Sequence, residues 1–189
     1  SWEMPLFFSE SWSLPIEEFA YIVGPLLLYL ILFLKLKISK PLLFALITLF
    51  VIIVSLITKI IYSTNVENNT LIYWNVNLKA TTIYSLDAIY YGVFAAFISL
   101  VKPKSWSQFS GLCFVIGAII FLGLNFLIIS EQIFIETYPF FWNVLYLPIN
   151  SIAITFCLPL LYNIKTGPRF LLKPITHISV ISYSMYLLH

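Results

Sequence analysis

Five apolar stretches, each about twenty residues long, constrain the fold of this chain more than any other feature. A helix needs about 20 apolar residues to cross the hydrocarbon core of a bilayer. Only 10% of the residues are charged and 61% are hydrophobic, whereas soluble domains carry about 25% charged residues. The sequence therefore predicts an all-α, polytopic transmembrane helix bundle whose main partner is the lipid bilayer. The predicted spans are about 14–34, 41–61, 82–101, 109–129 and 144–164.

A sixth apolar segment, about 175–189, ends the chain. As a helix it measures about 22 Å, which is short of the roughly 30 Å of hydrocarbon. We interpret it as a truncated span, and we expect residues 1–189 to form a single transmembrane domain that is a fragment of a longer protein. Between the second and third spans, residues 62–81 are polar and are expected to form an ordered loop or an interfacial segment. Pro148 and Pro159 are expected to break the fifth helix.

The distribution of charge predicts the orientation of the bundle. The loops after the first, third and fifth spans hold eight of the ten basic residues and no acid, whereas all eight acids lie in the N-terminal stretch, in the other loops or in opening helical turns. By the positive-inside rule the basic loops should be cytoplasmic and the Glu17 end should face outward from the inner (plasma) membrane. We expect Lys59 to snorkel to the nearby interface. A net charge of +2 gives no reason to expect a nucleic-acid partner.

Ionisable residues in the outer third of the bundle form the candidate site. Glu17 lies at the start of the first span, on the same helical face as Ser13. An ionisable group inside a membrane span suggests a function by default. Counting about 1.5 Å per residue from the cytoplasmic helix ends places Glu17 at about 26 Å and Asp87 and His189 at about 21 Å. We expect partners on neighbouring spans to hold Glu17, and the three groups to form a proton-transfer or substrate-orienting site.

Simpler interpretations of these residues stay open. Acids at the start of a helix suit the positive end of its dipole, which would account for Glu17, Glu18 and Asp87 without any function. His189 could be a packed histidine bonded to a neighbour. Cys113 and Cys157 fall inside apolar runs and are interpreted as small core residues, and the sequence has no Cys/His cluster with metal-ligand spacing, so no metal site is predicted.

Three stretches resemble segments of the membrane-bound acyltransferase-3 family. Residues 12–21 read WSLPIEEFAY and resemble the family signature W-S-L-x-x-E-E-x-F-Y. Residues 86–93 read LDAIYYGV and are similar to the segment R-L-D-x-x-x-x-G-V. Residues 181–189 read ISYSMYLLH and resemble the segment I-S-Y-S-x-Y-L-x-H. The three stretches occur in the family's order.

The resemblance implies an inner-membrane enzyme that moves an acyl group, often acetyl from acetyl-CoA, to a hydroxyl of an exported or cell-surface carbohydrate. It implies acetyl-CoA or another acyl-CoA as donor and no metal. By position, the resemblance assigns catalytic roles to Ser13 and Glu17. The residues assigned to substrate binding or orientation are Trp12, Asp87, Tyr183 and His189.

The chain departs from the family pattern in two places. Ser85 stands where the family carries the Arg before its Leu-Asp pair. The family's proposed catalytic His and its partner Arg lie in an N-terminal helix that precedes these motifs, and we expect that this fragment lacks that helix. The missing N-terminal helices of the same protein are therefore expected partners, and the fragment alone is expected to be inactive.

Two other functions remain as alternatives. Residues 14–18, LPIEE, also resemble the P-x-E-E motif of membrane carotenoid (lycopene) cyclases, in which a carboxylic acid protonates an alkene. That family carries its motif twice, and here no other proline has an acid two residues later. A sugar or proton transporter could use the same outer-third carboxylates and proline-containing helices, although the sequence shows no internal repeat.

Overall fold

The computed structural model describes residues 13–33, 39–164, 174 and 176–182, and all regular structure within those ranges is helical. Within the described ranges, five helices are long and apolar enough to cross a membrane, which confirms the predicted all-α, polytopic bundle. Two segments of wider, π-helical turns, Asn75–Lys79 and Phe141–Tyr146, stand beside the α-helices. The α-helices are α1 Ser13–Phe33, α2 Lys40–Asn65, α3 Leu71–Trp74, α4 Thr82–Val101, α5 Pro103–Gln108, α6 Ser110–Ser130 and α7 Leu147–Asn163.

The observed bounds of the five spans agree with the predicted ones to within four residues. The largest difference is at the end of the second span, which was expected near residue 61 and continues to Asn65. The sixth segment is helical over residues 176–182, and the rest of the predicted range 175–189 lies outside the described residues. Prolines mark several starts, because a proline in a first turn loses no helical hydrogen bond: Pro41 opens α2 and Pro103 opens α5.

Helix α4 is the centre of the bundle, since it packs against α1, α2 and α7. Its contact with α1 and α2 forms a buried apolar cluster of Ala20, Val51, Ile52, Leu86 and Tyr90. The Tyr90 hydroxyl donates a hydrogen bond to the Ala20 carbonyl oxygen at 3.2 Å, which joins α4 to α1. Many large apolar side chains on the outer faces are exposed, as expected for helices that contact lipid.

The contact between α6 and α7 depends on one glycine. A Cβ atom at Gly117 would lie 2.6 Å from the Ala153 carbonyl oxygen, whereas a Cβ atom at Gly111 or Gly123 would meet nothing within 4 Å. Small residues let two helices approach closely in a membrane. Gly117 therefore lies where the backbone of α7 packs closely against α6.

The polar stretch after α2 was expected to be a loop or an interfacial segment, and the structure shows two short helical segments there. They pack against Phe141–Tyr146, the segment directly before α7. The Trp74 indole donates to the Trp142 carbonyl oxygen at 3.2 Å. The Trp142 indole donates to the Ile133 carbonyl oxygen at 3.0 Å. Leu78 and Ile135 are buried with Trp74. This cap covers the end of the bundle at which α2 ends and α4 begins.

The expectation that two prolines break the fifth helix is wrong. Helix α7 continues through Pro159, and Pro148 lies in its first turn, directly after the wide turns of Phe141–Tyr146. In lipid the backbone has no water to bond with, so a membrane helix keeps its remaining hydrogen bonds around a proline.

Candidate functional site

A buried ion pair joins α2 to α4. The Lys59 ammonium lies 2.6 Å from Oδ2 of Asp87, and the two side chains are 0% and 2% exposed. The other carboxylate oxygen, Oδ1, accepts a hydrogen bond from the backbone N–H of Ala88 at 3.1 Å. Asp87 is therefore not an acid at a solvated helix start: it lies in the second turn of α4, and its charge is neutralised from a neighbouring helix.

The expectation that Lys59 snorkels to the interface is wrong, for two structural reasons. Helix α2 continues to Asn65, so Lys59 lies more than one turn inside it. Side chains on a helix also lean towards the N-terminus of that helix, which for Lys59 means towards the interior of the bundle. Ser55, one turn earlier on the same face, donates to the Ile83 carbonyl oxygen at 3.1 Å and adds a second α2–α4 contact.

A cavity of about 220 Å³ lies beside this ion pair. Helix α1 contributes Ser13 and Glu17 to its wall, and α4 contributes Asp87. We refer to it as the Glu17–Asp87 cavity. The complete lining is Ser13, Ile16, Glu17, Lys79, Ser85, Asp87, Ala88, Ile89, Leu147 and Ser151.

Glu17 and Asp87 stand in different environments within this cavity. Asp87 is fully paired, whereas Glu17 is exposed, and no side-chain hydrogen bond or ion pair joins its carboxylate to another residue that the structure describes. That neighbouring spans hold the Glu17 carboxylate stays a prediction. Glu18 points elsewhere, because successive residues on an α-helix are about 100° apart, and it is absent from the described lining of the cavity.

The structure brings together three of the six predicted site residues. Ser13, Glu17 and Asp87 line one cavity although Asp87 is 70 residues from Glu17 in sequence. Trp12, Tyr183 and His189 lie outside the described residues.

Sequence reasoning missed two basic contributors to the site. Lys59 pairs with Asp87, and the half-buried Lys79 lines the cavity. The Lys79 backbone is fixed there by its carbonyl oxygen, which accepts a hydrogen bond from Ser85 Oγ at 2.8 Å. The available signal was charge inside apolar spans: Lys59 and Asp87 are deep enough in their helices that each needs a partner of opposite sign.

The described residues include no group of three or more His, Cys, Asp and Glu side chains that could hold a metal ion. Cys113 and Cys157 are both free thiols and half-buried. The described lining of the Glu17–Asp87 cavity offers two carboxylates, one ammonium group and three serine hydroxyls.

Taken together, the fold and the site define a multi-pass membrane protein with a buried ion pair beside a cavity that is lined in part by charged and hydroxyl side chains. No protein-family model matches the sequence, and no curated protein or solved structure matches it significantly. The resemblance to the acyltransferase-3 family rests on the three short motifs of the sequence itself.

Proposed function

We propose that this protein is a membrane-embedded O-acyltransferase that moves an acyl group, acetyl from acetyl-CoA in the first instance, to a hydroxyl of an exported or cell-surface carbohydrate. One observation carries the proposal: Ser13 and Glu17 of the first motif and Asp87 of the second line the same cavity. Ser13 and Glu17 lie on α1 and Asp87 lies on α4. The two motifs that contain them resemble segments of one enzyme family.

The chemistry of transfer needs the groups that line the Glu17–Asp87 cavity. The hydroxyl oxygen of the acceptor attacks the thioester carbonyl, its proton passes to a base, and the CoA thiolate leaves and is reprotonated. A positioned base and a donor to the developing oxyanion lower the barrier. Glu17 is the exposed carboxylate of the cavity and takes the acceptor proton or orients a histidine supplied by the N-terminal helices. Ser13 and Lys79 carry the donors.

Asp87 serves as an orienting group rather than a base, because Lys59 already neutralises it. Its carboxylate is held by the ammonium of Lys59 and the N–H of Ala88. Ser85, which replaces the family's Arg, lines the cavity, while a cation for Asp87 comes from α2 instead. Asp87 therefore has a positively charged partner, although the Arg of the family motif is absent.

The cavity is small compared with the sites of complete drug-sized ligands. Such sites measure roughly 300–1,000 Å³, whereas this one measures about 220 Å³. A hydroxyl and an acetyl group fit within it.

Glu17→Gln tests the proposal, with Glu18→Gln as the matched control. Both variants replace a carboxylate with an amide of the same size, but only Glu17 lines the cavity. Membranes containing the full-length protein are supplied with radiolabelled acetyl-CoA, and label in carbohydrate is measured. General acid–base catalysis contributes about 10²–10⁴-fold, so Glu17→Gln should lower turnover by about 10²-fold or more while Glu18→Gln stays near normal. Near-normal turnover in Glu17→Gln rules out a catalytic role for its charge.

The proposed location is the inner membrane, with the basic loops cytoplasmic and the Glu17 end outward. The support is the charge bias of the connections. Asn68 and Ser105 are exposed positions at opposite ends of the bundle. A single cysteine is placed at one of them, and its labelling by a membrane-impermeant maleimide reports the orientation. Intact cells should label the cysteine at position 68 and spare the one at position 105. The reverse pattern contradicts the proposed orientation.

Transport of a sugar or of protons is a second candidate function, favoured by the Lys59–Asp87 pair. Ionisable pairs inside spans mark ion pathways in many transporters. Uptake of labelled sugar by vesicles that contain the protein and no acyl-CoA would favour transport, whereas acyl transfer without uptake would favour the enzyme.

A further inference from the structure

A second, larger cavity lies at the opposite end of α4 from the Glu17–Asp87 cavity. Its volume is about 490 Å³, within the roughly 300–1,000 Å³ of small-molecule sites. We call it the α5 cavity, because the short helix α5 lies at its mouth. Helix α4 lines it with Tyr91, Phe94, Ala95, Ile98 and Lys102, which are spaced as one face of a helix. Side chains of α2, α6 and α7 complete walls that are almost entirely apolar.

The mouth of the α5 cavity has a different character from its walls. Lys102, Ser105 and Trp106 line it there. The indole N–H of Trp106 is buried and has no acceptor among the residues that the structure describes. A buried donor without an acceptor is costly, and tryptophan is typical of the headgroup level of a bilayer. This end of the cavity therefore carries a positive charge and an indole N–H whose acceptor is not among the described residues.

The depth of the cavity matches one leaflet of a membrane. From Lys102 to Tyr91 is eleven residues, or about 16 Å of helix, and half of the roughly 30 Å hydrocarbon core is about 15 Å. The cavity thus begins at the level of headgroups and ends near the middle of the bilayer. The Tyr91 end lies one turn from Asp87, which is absent from the described lining of the α5 cavity.

We propose that the α5 cavity binds one acyl chain of an anionic phospholipid from the surrounding leaflet. The chain fills the apolar space along α4, Lys102 pairs with the phosphate, and the Trp106 N–H donates to a phosphate or ester oxygen. Charge selects an anionic lipid over a zwitterionic one, since residues 102–109 contain two lysines and no acid and basic residues at a membrane surface attract anionic headgroups.

Native mass spectrometry of the purified, delipidated protein in detergent tests this site. The protein is titrated with phosphatidylglycerol and with phosphatidylcholine of identical chains. One phosphatidylglycerol molecule should be retained about tenfold more tightly than phosphatidylcholine. Lys102→Gln should weaken it about fivefold, the ratio that corresponds to about 1 kcal/mol per basic residue. Lys104→Gln, in the same connection but absent from the described lining of the cavity, should have a smaller effect.

Substitutions that fill the α5 cavity provide an independent test of lipid binding there. Ala95→Phe should abolish retention of phosphatidylglycerol, and Ile98→Phe provides a second filling variant if the first does not fold. Leu122→Phe adds volume on an exposed face of α6 and should leave retention unchanged. Circular dichroism and gel filtration establish that each variant is folded.

Lipids brominated in mid-chain locate the bound molecule. Brominated phosphatidylglycerol should quench the wild-type fluorescence more than that of Trp106→Phe, and the difference isolates Trp106 from the other tryptophans. Equal retention of the two lipids overturns the anionic preference. Undiminished retention in both folded filling variants, or equal quenching with and without Trp106, places the lipid elsewhere and overturns the proposed site.

Discussion

Lys59→Met is the most direct test of how the bundle is held together. The substitution removes the ammonium and keeps a side chain of similar length, which leaves the Asp87 carboxylate buried without its cation. Both side chains are at most 2% exposed, so water cannot replace the lost partner. Removing one member of a buried ion pair costs about 3–5 kcal/mol. On insertion scales, an isolated aspartate at the centre of a membrane helix has a free-energy cost of about 2.5–3.5 kcal/mol, which is of the same size.

The complete experiment is a double-mutant cycle. Asp87→Leu should cost as much as Lys59→Met, because it leaves the lysine unpaired. The double variant Lys59→Met/Asp87→Leu replaces a buried pair with apolar side chains, a change that is often neutral or stabilising. Its free energy of unfolding should therefore lie within about 1 kcal/mol of wild type, or above it. If the two single losses simply added, the double variant would lose about 6–10 kcal/mol, so the expected value is at least about 5 kcal/mol above the additive one.

The assay is thermal unfolding of the purified protein in detergent, followed by loss of the monodisperse peak in gel filtration. For a chain of this size, 1 kcal/mol shifts the midpoint by about 2–4 °C, so each single variant should melt about 6–20 °C below wild type. Lys40→Met, at an exposed position at the start of the same helix, is the control and should change stability by less than about 0.5 kcal/mol. Single variants that melt within 2 °C of wild type, or a double variant no better than the worse single one, would refute the reasoning.

Two further predictions concern helix contacts. Gly117→Ala should destabilise the protein by about 1–3 kcal/mol, because its Cβ would lie 2.6 Å from a backbone oxygen of α7. Gly123→Ala, where the new methyl meets nothing within 4 Å, should be neutral in the same melting assay. Tyr90→Phe removes the hydrogen bond to the Ala20 carbonyl oxygen and should cost about 0.5–1.5 kcal/mol. A neutral Gly117→Ala or a fully stable Tyr90→Phe would contradict the corresponding contact.

The spans could be predicted from the sequence because bilayer thickness fixes the length of an apolar run. The central position of α4 could not, because it depends on contacts between helices, such as Tyr90 with Ala20 and Ser55 with Ile83, for which helix periodicity gives no signal. The short helices after α2 escaped prediction for a related reason. Their stability comes from packing of Trp74 against Trp142, 68 residues away, and a polar composition alone favours a loop.

The candidate site was only partly predictable. Counting residues from helix ends placed Glu17 and Asp87 at similar depths, and the structure shows them in one cavity. The ion pair was missed because the same counting ended α2 four residues early, which moved Lys59 towards the interface. An error of one helical turn is therefore enough to convert a buried charge into an apparently solvated one.

Helix α4 is a wall of both cavities, and this allows the two roles of Asp87 to be separated. Lys59→Met should loosen α4 and weaken both lipid retention and acyl transfer. The double variant Lys59→Met/Asp87→Leu restores an apolar contact between α2 and α4, so it should retain phosphatidylglycerol as wild type does. If the Asp87 carboxylate orients the acceptor, acyl transfer in the double variant stays low despite normal stability. Recovery of transfer would show that Asp87 acts only as a structural partner of Lys59.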